Sequence, residues 1–330
     1  MNRFYITLGD SGGIGAEVVI KSLLELASLP ETDSVKWVLV GPRRHWDFHA
    51  ASLLLHHPHL TESFTLLEDR LEWLEVETTE EVVLGQNTAE QGRIAYECIA
   101  RSVSKLLAGE GIALITAPLS KTSLHLAGYH YPGQTELLGE LTNTPNPTMA
   151  FHGGGLTIAL ATVHVALRAV PDLIQIPLLH HRLAHLSSLS KALGKKEPVI
   201  GVCGLNPHAS EDGLFGDEEA RVITPAIKQY SEPGVTLKGP LPGDTAFLSA
   251  LEGELDAVLA LYHDQGLAAL KTHAFDEAVN TTLGLPFVRT SPDHGTAYNL
   301  AGKGIARHQS MLAALRLALQ LGPRLNQLHR

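Results

Sequence analysis

Ala257-Val258-Leu259-Ala260-Leu261 runs without a break into Tyr262-His263-Asp264-Gln265-Gly266. A short apolar run of this kind reads as a buried strand, and the polar cluster behind it as the loop at its carboxyl end. The pairing recurs along the chain. Phe4 to Leu8 precedes Gly9-Asp10-Ser11-Gly12-Gly13-Ile14-Gly15, Ala113 to Thr116 precedes Ala117-Pro118-Leu119-Ser120-Lys121, and Thr157 to Val163 precedes His164. Val199 to Cys203 precedes Gly204-Leu205-Asn206-Pro207-His208, and Phe287 to Arg289 precedes Thr290-Ser291-Pro292-Asp293-His294-Gly295. Trp37 to Val40 reads as a further strand. Apolar residues at helical spacing fill the intervals Gly15 to Ala27, Thr88 to Ala108, Pro171 to Leu193 and Asp217 to Gln229, and again Gln309 to Leu321, which is expected to fold back onto the first lobe. Strands alternating with helices predict an α/β protein with mainly parallel sheets covered on both faces. Ligands of such sheets bind outside the carboxyl ends of the strands, so the polar clusters converge on a cleft and the chain reads as an enzyme.

The chain has 330 residues, more than the roughly 100–200 of a usual single core, which predicts two lobes. No repeat or low-complexity tract marks a linker. The shift from the strand Ala113 to Thr116 to Gly128, Pro132 and Gly133 places the boundary, giving a first lobe of 1–127 with 300–330 and a second of 128–299. With 25 Lys+Arg against 35 Asp+Glu, the formal net charge of −10 repels a phosphate backbone and argues against nucleic acid as a partner. Hydrophobic residues at 44% and charged residues at 18% exclude a disordered chain. Cys98 and Cys203 sit in apolar stretches, so no disulfide framework is expected. The start at Phe4-Tyr5-Ile6-Thr7 lacks the charged and apolar regions of a signal peptide, and no apolar run approaches the ~20 residues of a membrane span, which predicts a cytoplasmic protein without a membrane partner.

Of the 18 His, His45, His49, His56, His57 and His59 crowd one segment with no ligand-like order. His164, His208 and His263 differ, because each follows a strand. Singly, each suits a helix cap or the surface. Gathered by a sheet, three imidazoles would make an open metal site with positions left for substrate oxygens. The glycine loop fits neither G-x-G-x-x-G, since Val18 stands at the last glycine, nor a P-loop, since Ile14 does; it reads as a tight strand-to-helix turn rather than a wall for substrate. Lys271, Asn280 and Arg289 are the polar members of an apolar segment. They suit a phosphate or carboxylate, Arg as a fork and Lys as a point charge, or else stand as exposed charges.

Along almost its whole length the chain resembles the metal-dependent 4-hydroxythreonine-4-phosphate dehydrogenases of vitamin B6 biosynthesis. The resemblance rests on Leu114-Ile115-Thr116 with Pro118 and Lys121, Gly204-Leu205-Asn206-Pro207-His208-Ala209, and Gly239-Pro240-Leu241-Pro242 with Asp244-Thr245. It continues through Tyr262-His263-Asp264-Gln265-Gly266-Leu267, Val279-Asn280 with Thr282-Leu283-Gly284-Leu285-Pro286-Phe287, and Arg289-Thr290-Ser291 with Asp293-His294-Gly295-Thr296-Ala297. The stretch from His294 to Ala297 with Ala301-Gly302-Lys303-Gly304 also resembles the cofactor loop of isocitrate and isopropylmalate dehydrogenases.

The resemblance implies two-lobed α/β/α subunits of the isocitrate and isopropylmalate dehydrogenase type, paired as a homodimer with a shared active site. His164, His208 and His263 match the ligands of one divalent cation (Zn, Mg or Co). Gln134, Thr135, Lys271, Asn280 and Arg289 match substrate contacts, with Asp244 lining the pocket and Lys271 and Asp244 as catalytic candidates. NAD or NADP would lie along His294, Gly295, Thr296, Ala297 and Gly302. The implied reaction oxidises 4-phosphohydroxy-L-threonine to a 3-keto acid, which loses carbon dioxide to give 3-amino-2-oxopropyl phosphate.

Two positions depart from the family. Gly133-Gln134-Thr135-Glu136 stands where the family usually has Gly-His-Thr-Glu, and Ser11 and Ala16 stand where it often has prolines. Gln134 leaves room for a related phosphorylated sugar acid, such as threonate or erythronate 4-phosphate, or a cyclic dihydrodiol. A non-catalytic metal carrier would account for the histidines but not for Lys271, Asn280, Arg289 and the loop from His294 to Gly304.

Overall fold

Phe4, Tyr5 and Ile6 point alternately to the two sides of an extended segment, and all three are buried. A strand apolar on both faces belongs inside a covered parallel sheet. This strand, β1 (Asn2–Thr7), lies between β2 (Val35–Gly41) and β4 (Ala113–Thr116). Together with β3 (Leu71–Glu75) and β11 (Val288–Pro292) they form the all-parallel order β3-β2-β1-β4-β11. The loops after β1 and β4 leave the sheet where the strand order reverses, which is the usual ligand position in such folds.

The helices of this unit are α1 (Gly15–Leu26), α2 (Arg43–His56), α3 (Thr61–Glu68), α4 (Ala89–Leu107), α5 (Lys121–Leu126), α6 (Gln134–Leu141) and α12 (Gln309–Leu321). Thr88 starts α4 by accepting the Gln91 N–H at 3.1 Å, and the helix buries Ile94, Cys98, Ile99 and Val103 with Tyr5, Val38 and Leu114. As expected, α12 folds back onto the first sheet, packing on β11, β4 and α1.

The computed structural model describes residues 2–27, 29–32 and 34–327 and divides into two compact units, Met1–Pro145 with Leu285–Pro323, and Asn146–Gly284 with Arg324–Arg330. In the second unit, β5 (Thr148–Gly153) and β6 (Leu156–Leu160) form a hairpin through Gly154 and Gly155, whose φ of 56° and 83° is what a two-residue turn of this hand demands. β10 (Val279–Leu283) pairs antiparallel with β5, while β6, β9 (Ala257–Ala260), β7 (Val199–Cys203) and β8 (Thr236–Leu241) run parallel in the order β10-β5-β6-β9-β7-β8. Its helices are α7 (Val170–Leu173), α8 (Ile176–Ala192), α9 (Thr224–Gln229), α10 (Ala246–Leu251) and α11 (His263–Ala274). α10 and α11 close one core around Phe151, Ile158, Leu160, Phe247, Val258, Leu267 and Leu270. α8 packs on β5, β6, β9 and β10 and buries Arg182, which donates to the Asn146 and Pro147 carbonyls at 2.8 and 3.0 Å and to Thr148 Oγ1 at 2.9 Å.

The α/β class and the mainly parallel sheets stand as the sequence predicts. The continuous helix expected from Pro171 to Leu193 breaks at the extended Ile174 and Gln175, and Pro177 sits in the first turn of α8, where its missing N–H does no harm. The units divide at 145/146 and 284/285 rather than at 127/128 and 299/300. β11 is paired to β4, and α6 packs on α4, which keeps both segments in the first unit. Cys98 and Cys203 are buried free thiols, and burial pushes Cys203 up to about 12. No helix among the described residues is long and apolar enough to cross a membrane.

The histidines of α2 act as backbone pins. His49 Nε2 donates to the Ser11 carbonyl at 2.7 Å and His45 Nε2 to that of Glu80 at 3.0 Å. Burial pushes His49 down to about 4. Unfolded, His49 takes its proton near pH 6.5, so between about 6.5 and 4 the unfolded chain holds more protons and stability falls as pH falls. His49→Gln keeps an N–H donor and does not titrate. Between about pH 7 and pH 5 the parent is therefore expected to lose roughly 2 kcal/mol more stability than His49→Gln in denaturant titrations; equal losses would show that His49 is not held neutral.

Candidate functional site

Ile158 of β6, Val258 of β9 and Gly201 of β7 lie side by side in parallel register, so the three carboxyl ends share one edge. The loop beyond β6 carries His164, the loop beyond β7 carries His208, and α11 opens with His263 directly behind the extended Tyr262. The His164 and His263 rings lie 5.9 Å apart between centroids, at 39°. They line a cavity of about 270 Å³ with Val163, Leu167 and Val170. His263 Nδ1 donates to Asp264 Oδ1 at 2.7 Å, which leaves Nε2 as the outward lone pair.

His208 lines an adjoining cavity of about 700 Å³ with Asn206, Asp244, Phe247 and Gln265, and Tyr262 and Asp264 line both cavities. Two imidazoles bound tetrahedrally to one ion at ~2.1 Å would hold their centroids roughly 5.3 Å apart, so the His164–His263 rings, at 5.9 Å, stand slightly wider than a closed pair of ligands. Among the described residues no group of three or more His, Cys, Asp or Glu could hold a metal. His208 thus faces its own cavity, and one chain does not gather the three expected ligands.

The backbone around His208 is strained. His208, Ala209, Ser210, Glu211 and Asp212 all have left-handed φ, between 43° and 74°. Each such residue costs an L-amino acid roughly 1–2 kcal/mol, and a run of them persists only where neighbours hold it. One support escaped the sequence reading. Gln265 accepts from the Leu261 N–H at 2.7 Å and donates to the Gly204 carbonyl at 2.8 Å, tying the end of β9 to the end of β7. Lys271 follows Asp264 and Ala268 on one face of α11, and Asn280 stands in β10 opposite Phe151.

In the first unit, Arg289 of β11 is 3% exposed and donates through Nη2 to Thr116 Oγ1 at 2.8 Å and to Gln134 Oε1 at 2.9 Å. Burial pushes its guanidinium down, to about 9, which leaves it charged at neutral pH. Gln134 and the buried Thr135 open α6 behind the extended Gly133.

The glycine loop is a packed turn. Asp10 N–H donates to the Pro118 carbonyl at 2.9 Å and Ile14 N–H to that of Thr296 at 3.0 Å. A Cβ on Gly9 would stand 2.2 Å from Pro118 O, and one on Gly13 2.7 Å from Thr296 O. Asp10 accepts from Gly12 N–H and from Tyr298 Oη, each at 2.9 Å, and burial pushes its carboxyl up.

The segment holding His294, Gly295, Thr296, Ala297 and Gly302 is fastened along its length. Glu17 Oε1 accepts from the Ala306 N–H at 2.8 Å and from Lys21 Nζ at 2.7 Å, and Lys21 reaches the carbonyls of Gly304 and Ala306, each at 2.9 Å. Ser52 Oγ donates to the Gly302 carbonyl at 3.0 Å and His57 Nε2 to that of Gly304 at 2.7 Å.

Residues 33–318 match the family model for pyridoxal phosphate biosynthetic protein PdxA. The chain belongs to this family. A 4-hydroxythreonine-4-phosphate dehydrogenase of a Synechococcus species is 42% identical, over 98% of this chain and 100% of its own length. The D-threonate 4-phosphate dehydrogenase of Salmonella typhimurium is 38% identical, over 96% and 98%. The crystal structure of a 4-hydroxythreonine-4-phosphate dehydrogenase from Klebsiella pneumoniae matches at a TM-score of 0.82 and 36% identity, covering 98% of this chain and 100% of that one. A terephthalate dihydrodiol dehydrogenase from Burkholderia xenovorans, 23% identical with a TM-score of 0.68, shares the fold. Membership of the PdxA family makes this chain a dehydrogenase, as the motifs implied.

The amide oxygen of Gln134 is already engaged by Arg289. A protonated imidazole there would face a buried guanidinium; a neutral amide oxygen attracts it. Gln134→Leu leaves a charged N–H without that acceptor, and is expected to lower stability by about 1–3 kcal/mol and to raise KM for a phosphorylated substrate about tenfold. Gln134→His introduces a ring whose folded pKa is held below ~6.5 by Arg289, so its stability should fall relative to the parent as pH drops below that value. Unchanged unfolding and KM in Gln134→Leu would show that the bond contributes nothing.

Proposed function

We propose that this protein oxidises the 3-hydroxyl of 4-phosphohydroxy-L-threonine with NAD or NADP and a divalent cation, and that the resulting 3-keto acid decarboxylates to 3-amino-2-oxopropyl phosphate. The observation that carries this reading is the register of β6, β9 and β7, which delivers His164, His263 and His208 to one sheet edge. The adjoining cavities carry Asp244 and Asp264 as further polar groups. Bound there, the cation supplies Lewis-acid polarisation of a substrate oxygen, and the nicotinamide supplies the hydride acceptor.

The chain's own residues have the remaining tasks. Arg289, oriented by Thr116 and Gln134, binds the phosphate as a fork, with Thr135 beside Gln134. Lys271, with Asn280, neutralises an anionic group or carries a proton at the reacting oxygen, and Asp244 lines the pocket beside His208. His294, Gly295, Thr296, Ala297 and Gly302 form the cofactor wall. Neutral imidazoles suit Zn or Co better than Mg, which prefers oxygen ligands. We further place the enzyme in the cytoplasm as a homodimer whose cation is held by imidazoles from both chains. The separation of His208 from the His164–His263 pair supports that sharing.

The second reading, D-threonate 4-phosphate, is favoured by the 38% identity to a D-threonate 4-phosphate dehydrogenase and by Gln134. The two substrates differ at C2, an ammonium in one and a hydroxyl in the other. Purified protein with Zn or Co and NAD or NADP should reduce the nicotinamide with one of them; reduction with neither would overturn the proposal. Mixed and subunit-exchanged His208→Ala and His263→Ala chains should recover about one quarter of parental activity, since half the dimers are mixed and each of those holds one intact site. No recovery after verified exchange would place all ligands in one chain.

A further inference from the structure

Glu219 lies 3% exposed in a π-helical turn, Glu219–Ile223, that precedes α9. Such turns insert an extra residue and re-aim side chains, and they concentrate at functional sites. Its carboxylate is directed at the loop leading to His208. Oε1 accepts the backbone N–H groups of Leu205 at 2.7 Å and Asn206 at 2.8 Å, and Oε2 accepts from Asn206 Nδ2 at 2.8 Å. The same Asn206 amide donates to Glu218 Oε2 at 2.7 Å.

Two residues beyond Asn206 begins the left-handed run of His208 to Asp212. That run has local ties: Asn206 O accepts the Ala209 N–H at 3.1 Å, and Ser210 Oγ accepts from Gly213 N–H at 2.9 Å and donates to Gly216 O at 2.8 Å. Gly204 sits under the run, where a Cβ would stand 2.8 Å from Ala209 Cα and 3.1 Å from Glu219 Oε1. The turn is therefore anchored at its entrance by one buried carboxylate on a separate element.

We propose that Glu219 is a positioning residue for His208: by fixing residues 205 and 206 it holds the left-handed turn that presents the imidazole to a divalent cation. The inference rests on the reading of His208 as a ligand. Glu219→Gln keeps one acceptor oxygen for the two backbone N–H groups but turns an amide toward Asn206. Glu219→Ala removes every acceptor.

Equilibrium dialysis of the full chain against Co²⁺, with the visible Co²⁺ absorption as a second readout, tests this without requiring turnover. Glu219→Gln should weaken Co²⁺ binding about tenfold and Glu219→Ala up to about a hundredfold, the range seen for residues that orient metal ligands, with altered Co²⁺ band intensities and unchanged circular dichroism. His208→Ala separates the two layers of the argument. If it binds Co²⁺ like the parent, the ligand reading itself fails and the proposal with it. If it loses the ion while both Glu219 variants bind with parental affinity and spectrum, the positioning role alone is overturned. Should Glu219→Ala not fold, the near-isosteric Gln variant decides.

Discussion

Ile158, Val258 and Gly201 stand abreast on three parallel strands, and most of what this protein can do depends on that register. Parallel strands each begin at the same edge and require a crossover to return, so everything that follows a strand emerges on one side. His164, His263 and His208 belong to those emerging segments. A one-residue slip of β9 would put Val258 and Ala260 on the face now held by the equally buried Leu259, mismatching both cores, and would shift the start of α11 with them. The apolar cores on the faces of the sheet thus fix both the strands and the place of the imidazoles.

Loops at such an edge need support that the sheet does not provide. The His208 turn adopts a costly left-handed path, and Gln265 and Glu219 hold its entrance from α11 and from the π-turn. In the first unit, the glycine loop is pressed against Pro118 and Thr296, with His49 bonded to Ser11 and a buried Asp10 bonded to Tyr298. Much of the polarity of these loops is therefore spent on holding backbone in place. The histidine-rich α2 is the plainest case: its rings hold backbone carbonyls in place.

The class of the fold was legible because β1, β4, β7 and β9 are apolar on both faces, and their bounds were nearly those predicted. Four strands escaped the pattern. β5 carries His152 and β10 carries Asn280 and two threonines, so neither reads as a buried run. β3 has glutamates within it, and β8 contains Pro240, tolerated because β8 is an edge strand. Gly154-Gly155 was the missed hairpin signal. The three strand-end histidines were found from their positions, but sequence separation could not show that His208 would face a different cavity from the other two. Nor could it show that Gln134 bonds to Arg289, some 155 positions later, which depends on the pairing of β11 with β4. Glu219 falls in the interval Asp217 to Gln229, whose spacing predicts an ordinary helix, and nothing local marks its π-turn.

The central claim is that His164, His263 and His208 hold one divalent cation, with the third imidazole supplied by a second copy. Anomalous diffraction from crystals grown with Zn²⁺, recorded on both sides of the zinc absorption edge, tests it most directly. The account predicts one strong peak per chain, within about 2.0–2.1 Å of a ring nitrogen of each of the three histidines, taken across two copies. A peak coordinated by other residues, or none at His164 and His263, would contradict it.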